Sequence, residues 1–380
     1  MIARRLRPFG TTIFTEMSAL AARSGALNLG QGSPDTDGPA EVVEAAATAL
    51  RSGRANQYAP LGGVPELRAA IAAHQLRRYA IELDPDDGIQ VTFGATEAIA
   101  ATMLGLVEPG DAVVVLEPFY DSYGAMIAMA DGERRLVTLR PPDFAVDLHA
   151  LAAAARGARM LLLNSPHNPT GRVLTPAELA GIAAICVEHD LVAVTDEVYE
   201  HLVFDGEHVP LATLPGMAER TLTISSLGKT FSVTGWKVGW ACGPAPIVAA
   251  VRAAKQFLTF AGATPFQHAG AAALRLDDHW YREFSLELEA KRDHLCAGLK
   301  QAGLTVLTPQ GTYFANADVG TDATEFAREL PYKAGVVAIP TAVFSTDAER
   351  LRPYLRFAFC KRPAVIDRAA RQLAAEDLES

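Results

Sequence analysis

Thr221-Leu222-Thr223-Ile224-Ser225-Ser226-Leu227-Gly228-Lys229-Thr230 decides how the rest of this chain is read. Thr221 to Ile224 is a short run that reads as a strand, and a second apolar run, Val238 to Ala241, follows closely, so Lys229 is expected in the turn between two strands. A lysine taken alone is most often a solvated surface charge. The flanking runs argue against that here. Gly228-Lys229-Thr230 has the look of the tail of a nucleotide phosphate loop, but that loop needs a glycine five residues before Gly228, and Thr223 stands there.

Outward from this stretch, the chain from Pro39 onward alternates between helical and strand patterns, as a mostly parallel α/β sheet wrapped by helices requires. Pro39 opens a helix through Ala49 that stops at Gly53, with proline at the start and glycine past the end. Further helices are expected at Val64 to Tyr79, Glu97 to Val107, Tyr123 to Ala130, Asp147 to Ala155 and Pro176 to His189. Strands are expected at Ile89 to Phe93, Ala112 to Leu116, Arg134 to Leu139, Met160 to Leu163 and Leu191 to Thr195, which with the two runs around Lys229 make a seven-stranded sheet. Most are continuous apolar runs, the pattern of strands covered on both faces. After Pro244 one long helical stretch leads to a smaller α+β region with a helix at Tyr281 to Leu299, strands at Leu304 to Leu307 and Tyr354 to Phe359, and a closing helix after Pro363. The expected division is a large domain over 40–278 and a small one formed by 1–39 with 279–380.

Composition sets outer bounds. Of 380 residues, 49% are hydrophobic and 21% charged, and the net charge of -10 argues against nucleic acid or an anionic membrane as partner. The first ten residues carry Arg4, Arg5 and Arg7 with no apolar run behind them, and no stretch reaches membrane-spanning length, so a cytoplasmic protein is expected. Cys186, Cys242, Cys296 and Cys360 show no metal or redox spacing and read as buried reduced thiols. The nine histidines show no ligand pattern either, so no metal is implied.

The chemistry-bearing residues gather around Lys229. Ser226 lies three positions before it and Lys237 eight after, while upstream come Asp196-Glu197-Val198-Tyr199 and Asn168-Pro169-Thr170-Gly171. Together they supply the parts of a pyridoxal phosphate site: a lysine to join the aldehyde, a carboxylate to keep the pyridine nitrogen protonated, and an amide and a phenol for the ring oxygen. Asp196 closes a buried strand at its carboxyl end, where α/β sheets place ligands, although an aspartate there also serves as a helix cap. Asn168 and Tyr199 as donors to the ring oxygen would lower the pKa of the lysine-bound group, although Asn-Pro-Thr-Gly is also simply a good turn. Gly94, Ala95 and Thr96 stand at a strand-to-helix junction, whose free N–H groups suit a phosphate, with Ser226 and Lys237 adding a hydroxyl and a charge. Tyr120, after a strand, is placed to lie flat on the ring or to fill the core. Arg356 alternates with apolar neighbours in Leu355-Arg356-Phe357-Ala358-Phe359, which suits either a two-pronged carboxylate contact or an exposed edge-strand arginine.

These residues resemble the class I aminotransferases of fold type I across nearly the whole chain. Asn28-Leu29-Gly30-Gln31-Gly32 with Pro34-Asp35 narrows the resemblance to the branch of kynurenine aminotransferases, methionine aminotransferases and cysteine-conjugate β-lyases. Asn164-Ser165-Pro166-His167-Asn168 and Thr234-Gly235-Trp236-Lys237 are similar to the actinobacterial N-succinyldiaminopimelate aminotransferases within it. The resemblance implies Lys229 for the covalent link, Asp196 for the ring nitrogen, Asn168 and Tyr199 for the ring oxygen and Tyr120 for stacking. It implies Gly94, Ala95, Thr96, Ser226 and Lys237 for the phosphate, and Arg356, with Asn168 beside it, for the substrate carboxylate. Tyr58 matches a tyrosine that reaches the neighbouring subunit's phosphate, which implies a homodimer with shared sites. Gly32 and Phe14 match positions lining the substrate pocket, while Ser33 stands where most relatives carry a phenylalanine, which implies a smaller and more polar wall.

The expected activity is a ping-pong aminotransferase that moves the α-amino group of an amino acid to a 2-oxo acid, both of them small-molecule substrates. The alternative is a carbon–sulfur β-lyase, which needs the same lysine and ring, and a remote third is a non-catalytic pyridoxal phosphate-sensing regulator domain. That last reading calls for a DNA-binding segment, against which the acidic charge and the early onset of the family pattern both speak.

Overall fold

Seven strands, most of them near-continuous apolar runs, build the larger sheet of this protein in the computed structural model, which describes residues 2–10, 13–376 and 378. They are β1 (Ile89–Phe93), β2 (Ala112–Glu117), β3 (Glu133–Thr138), β4 (Met160–Asn164), β5 (Val192–Asp196), β6 (Thr221–Ser226) and β7 (Val238–Cys242). Their order across the sheet is β1-β7-β6-β5-β4-β2-β3, with β7 antiparallel to both neighbours and the other pairs parallel. Apolar layers pack on both faces, one built around Leu161, Leu163 and Ile182 and another around Val113, Leu162 and Ile224. Burial on two sides is why the inner strands show no alternation in sequence, while the edge strand β3 begins with exposed Glu133 and Arg134.

A second, antiparallel sheet is made of β8 (Thr305–Leu307), β9 (Phe314–Asp318), β10 (Ile339–Pro340) and β11 (Tyr354–Ala358), ordered β10-β11-β9-β8. Its core takes in Met17, Leu20 and Leu29 from the first thirty residues, and Leu27–Asn28 pairs with Val336–Val337 in a two-stranded parallel ribbon. The chain thus returns its beginning to its end. The expected small region extends over residues 1, 11, 12, 377, 379 and 380, which lie outside the described residues.

Helix boundaries follow local chemistry. Thr175 and Glu178 form a reciprocal capping box on Pro176–Glu188, and Asp277 caps the 24-residue helix Asp278–Gln301 through Trp280 N at 2.9 Å. Three expectations need correction. The helix after β1 begins at Gly94, three residues earlier than its apolar pattern shows, because Glu97 Oε2 turns back to accept from Phe93 N at 2.6 Å. Lys229 lies in the four-residue helix Leu227–Thr230, not in an open turn. The stretch after Pro244 is two helices, Ala245–Leu258 and Thr264–Ala273, broken where Phe260 and Ala263 take left-handed backbone angles.

One carboxylate ties the sheets together. Glu117, at the end of β2, accepts from Ser345 Oγ (3.2 Å), Thr346 N (2.9 Å) and Thr346 Oγ1 (2.9 Å) through Oε2, while Oε1 takes the Thr138 hydroxyl at 3.1 Å. This holds the segment carrying Phe344 against the large sheet, where Phe119 N also donates to Phe344 O. No helix among the described residues is long and apolar enough to cross a membrane, and the four cysteines are buried free thiols.

Candidate active site

The carboxyl ends of β4, β5 and β6 meet the start of helix Gly94–Leu106 around a cavity of about 150 Å3. Ten of the residues singled out from sequence line it: Gly94, Ala95, Thr96, Tyr120, Asn168, Asp196, Tyr199, Ser226, Lys229 and Lys237. Residues scattered over more than 140 positions of sequence therefore share one small space.

Asp196 is buried at the last position of β5, so it caps no helix. Burial pushes its pKa up to about 6, against the pull of the Tyr123 hydroxyl, which donates to Oδ2 at 2.6 Å, and of Val198 N, which donates to Oδ1. A carboxylate so placed favours a positive neighbour. Lys229 sits across the cavity with its amine 6.0 Å from the centre of the Tyr199 ring and 5.8 Å from that of Tyr313. Burial lowers its pKa, as a nucleophilic amine requires. Lys229 also borders a second cavity of about 610 Å3, reached past Tyr313 and Cys360. Tyr199 is buried and its phenol is held protonated, chiefly by burial.

At one end, the open N–H groups of the first helical turn face the cavity together with the Ser226 hydroxyl, and the exposed Lys237 reaches Thr96 Oγ1 at 3.2 Å. Glycine is required here twice. A Cβ on Gly94, whose φ is +69°, would stand 3.1 Å from Lys237 Nζ, and one on Gly239 would fall 2.5 Å from the Gly94 carbonyl carbon.

Arg356 lies behind Asn168 rather than in the cavity lining, on the inner strand β11 and fully buried, which overturns the edge-strand alternative. Its guanidinium carbon is 4.0 Å from the centre of the Phe314 ring, 4.4 Å from that of Phe344 and 5.6 Å from that of Phe14. Nη1 donates to Asn168 Oδ1 at 2.8 Å and Nη2 to Gly30 O at 3.3 Å. Burial lowers its pKa to about 10, which still leaves it charged at neutral pH. Because Asn168 Oδ1 is taken, its Nδ2 is the free end toward the cavity.

The remaining expected residues lie outside the cavity. Phe14 packs over Arg356, and Gly32 lies so close to the Phe314 ring that a Cβ would come within 2.5 Å of it. Ser33 does not wall the cavity: it is exposed, and its carbonyl accepts from Lys361 Nζ. Tyr58 is 79% exposed and stands edge-on to Phe260 with ring centres 5.5 Å apart.

The cavity also uses residues that sequence reasoning missed. Asn164 donates from Nδ2 to Asp196 O (2.7 Å) and accepts the Asn168 N–H on Oδ1 (2.7 Å), joining the two loops. Its place at the end of an apolar strand, like that of Asp196, was the available signal. Tyr123 gives no local signal, because its partner lies 73 residues away. Nearby, His74, Glu200 and His201 come within metal-binding reach of one another. Their ligand atoms are already engaged: the two Nε2 atoms share a hydrogen bond of 3.1 Å, and Glu200 accepts from Tyr79 (2.7 Å) and Ser225 (2.8 Å). Burial, helped by Arg78 and Arg77, holds His74 neutral with a pKa of about 3, so the cluster acts as a polar brace.

Residues 24–373 match the family of aminotransferases of class I and II. A relative from Mycobacterium tuberculosis, named probable N-succinyldiaminopimelate aminotransferase, is 52% identical over 98% of each chain, and the methionine aminotransferase of Escherichia coli is 41% identical over 97% of each. The solved structure of N-succinyldiaminopimelate aminotransferase from Mycobacterium tuberculosis superposes with a TM-score of 0.96 at 52% identity, covering 99% of this chain and 100% of that one. These likenesses name transferases and give the lyase alternative no support. Sheet, cavity and likeness agree, and the chain belongs to the class I and II aminotransferases, as a pyridoxal phosphate-dependent aminotransferase of fold type I.

Proposed function

We propose that this enzyme moves the free α-amino group of N-succinyldiaminopimelate to a common 2-oxo acid by a ping-pong cycle. The observation that carries the site assignment is one cavity holding an amine with lowered pKa, a buried carboxylate and an open helix start. The donor is supported by the name of the relative at 52% identity. The residues fit pyridoxal phosphate, since anion-binding donors stand at one end, a carboxylate wanting a positive partner lies opposite, and two glycines keep the cradle open. When bound, the cofactor supplies an aldehyde carbon that takes the amino group and a protonated ring that accepts the electrons left at the α-carbon.

Lys229 would hold that carbon covalently, and its Nζ, when free, would take the proton from the substrate α-carbon and deliver it to the cofactor's carbon. Asp196, oriented by Tyr123, holds the proton on the ring nitrogen. Asn168 Nδ2 and the Tyr199 hydroxyl serve the ring oxygen, Tyr120 lies on the ring face, and Gly94, Ala95, Thr96, Ser226 and Lys237 hold the phosphate. Arg356 binds the substrate α-carboxylate, and its wrapping of aromatic rings keeps water from competing. Gly32 and Phe14 border the substrate beside it. Exposed Tyr58, beside Phe260, reaches the phosphate of a second copy in a homodimer. The large domain spans 40–278, with 1–39 and 279–380 forming the small one, and the protein works in the cytoplasm.

A spectrophotometric screen tests this. With no acceptor present, N-succinyldiaminopimelate should convert the bound cofactor to its aminated form faster than methionine or kynurenine. Faster conversion by either of those would replace the donor, and a colourless protein after supply of the cofactor would end the site assignment.

A further inference from the structure

We propose that Asn316 is a positioning residue that fastens the Asn168-Pro169 loop to the strand pair carrying Arg356. The proposal rests on the site assignment above. Asn316 lies on β9 directly opposite Arg356 on β11, so both side chains leave the same face of the small sheet. They grip consecutive residues: Arg356 Nη1 donates to Asn168 Oδ1 at 2.8 Å, and Asn316 Nδ2 donates to Pro169 O at 2.9 Å. The Asn316 amide has no freedom to turn over, because the Thr341 hydroxyl donates to its Oδ1 at 2.7 Å and a carbonyl cannot serve Pro169 O. Asn316 and Thr341 have no exposed surface, so no water substitutes for either bond.

The two grips differ in what substrate does to them. Arg356 must offer its outer edge to a carboxylate, and any turn toward it slackens the hold on Asn168. Asn316 lines neither of the two cavities that Lys229 borders, and its bond to Pro169 O lies clear of the substrate carboxylate's partner. It therefore holds Asn168 Nδ2 at one distance from the ring oxygen, with or without substrate. Donation to that oxygen favours its anionic form and so keeps the lysine-bound cofactor's pKa low.

The test is a pH titration of the visible absorbance of the holoenzyme, together with the dissociation constant of a non-reacting α-methyl amino acid. Asn316→Ala should raise the midpoint by about half a unit or more and weaken the analogue several-fold. Thr341→Val, which leaves Asn316 present but free to flip, should move the midpoint the same way by less, and Thr341→Ser should restore it. A lowered melting temperature with an unmoved midpoint in Asn316→Ala would overturn the proposal. Should that variant not fold, an unmoved midpoint in Thr341→Val overturns it instead. Failure of the underlying site assignment looks different, since the wild type would then show no visible absorbance to titrate.

Discussion

The helix start that lines the cavity and the guanidinium behind Asn168 are fitted for anions by opposite means. At one, backbone N–H groups of a helix start, a hydroxyl and an exposed lysine share the work, so charge is spread and water is near. At the other a single guanidinium, fully buried among three phenylalanine rings, carries it alone. Shared, wetted binding tolerates the loss of a member, whereas a lone buried charge does not. The difference suits a cofactor that stays and a substrate that must come and go.

Breaking the lone charge should have the largest effect. Arg356→Ala should weaken amino acid binding roughly thirtyfold or more, on the order of 2 kcal/mol for a two-pronged charged contact, while cofactor retention holds. Equal losses of both, measured by spectral titration, would make Arg356 structural instead. Removing one member of the shared end should matter less: Lys237→Ala should weaken cofactor affinity by roughly fivefold in equilibrium dialysis and leave the amino acid constant near its wild-type value. A complete loss of cofactor would show that the backbone cradle holds little by itself. The smallest effect sharpens the contrast without a mutation. Raising salt from about 0.1 M to about 1 M shortens the screening length from about 10 Å to about 3 Å, which should loosen the cofactor about twofold and leave the Arg356 contact unmoved. A steeper salt response in amino acid binding would reverse the comparison.

The wetted end was easier to read from sequence than the dry one. A strand running into Gly94-Ala95-Thr96 and a helix is contiguous, and so is Asp196 at the end of an apolar run. The seven strands were legible for the same reason, most of them being near-continuous apolar runs. Arg356 was legible only as an anomaly, a charge in an alternating strand, because the rings that wrap it come from Phe14, Phe314 and Phe344. Tyr123 and Asn316 act through partners brought close by the fold, and nothing beside them in the chain announces it, while Asn164 showed only its place at the end of an apolar strand. Ser33 differs again: the motif around it is readable, whereas its exposure and the bond from Lys361 to its carbonyl are set by the fold.

Glu117 has a consequence for how firmly the two sheets are joined. The three bonds from Ser345 and Thr346 converge on one oxygen, so a displacement of the small sheet lengthens all of them together. Partial separation would strand a negative charge without donors, a state less favourable than either extreme. The segment carrying Phe344 is thereby fastened beside the guanidinium through one oxygen, and Glu117→Gln would weaken all three of its bonds at once.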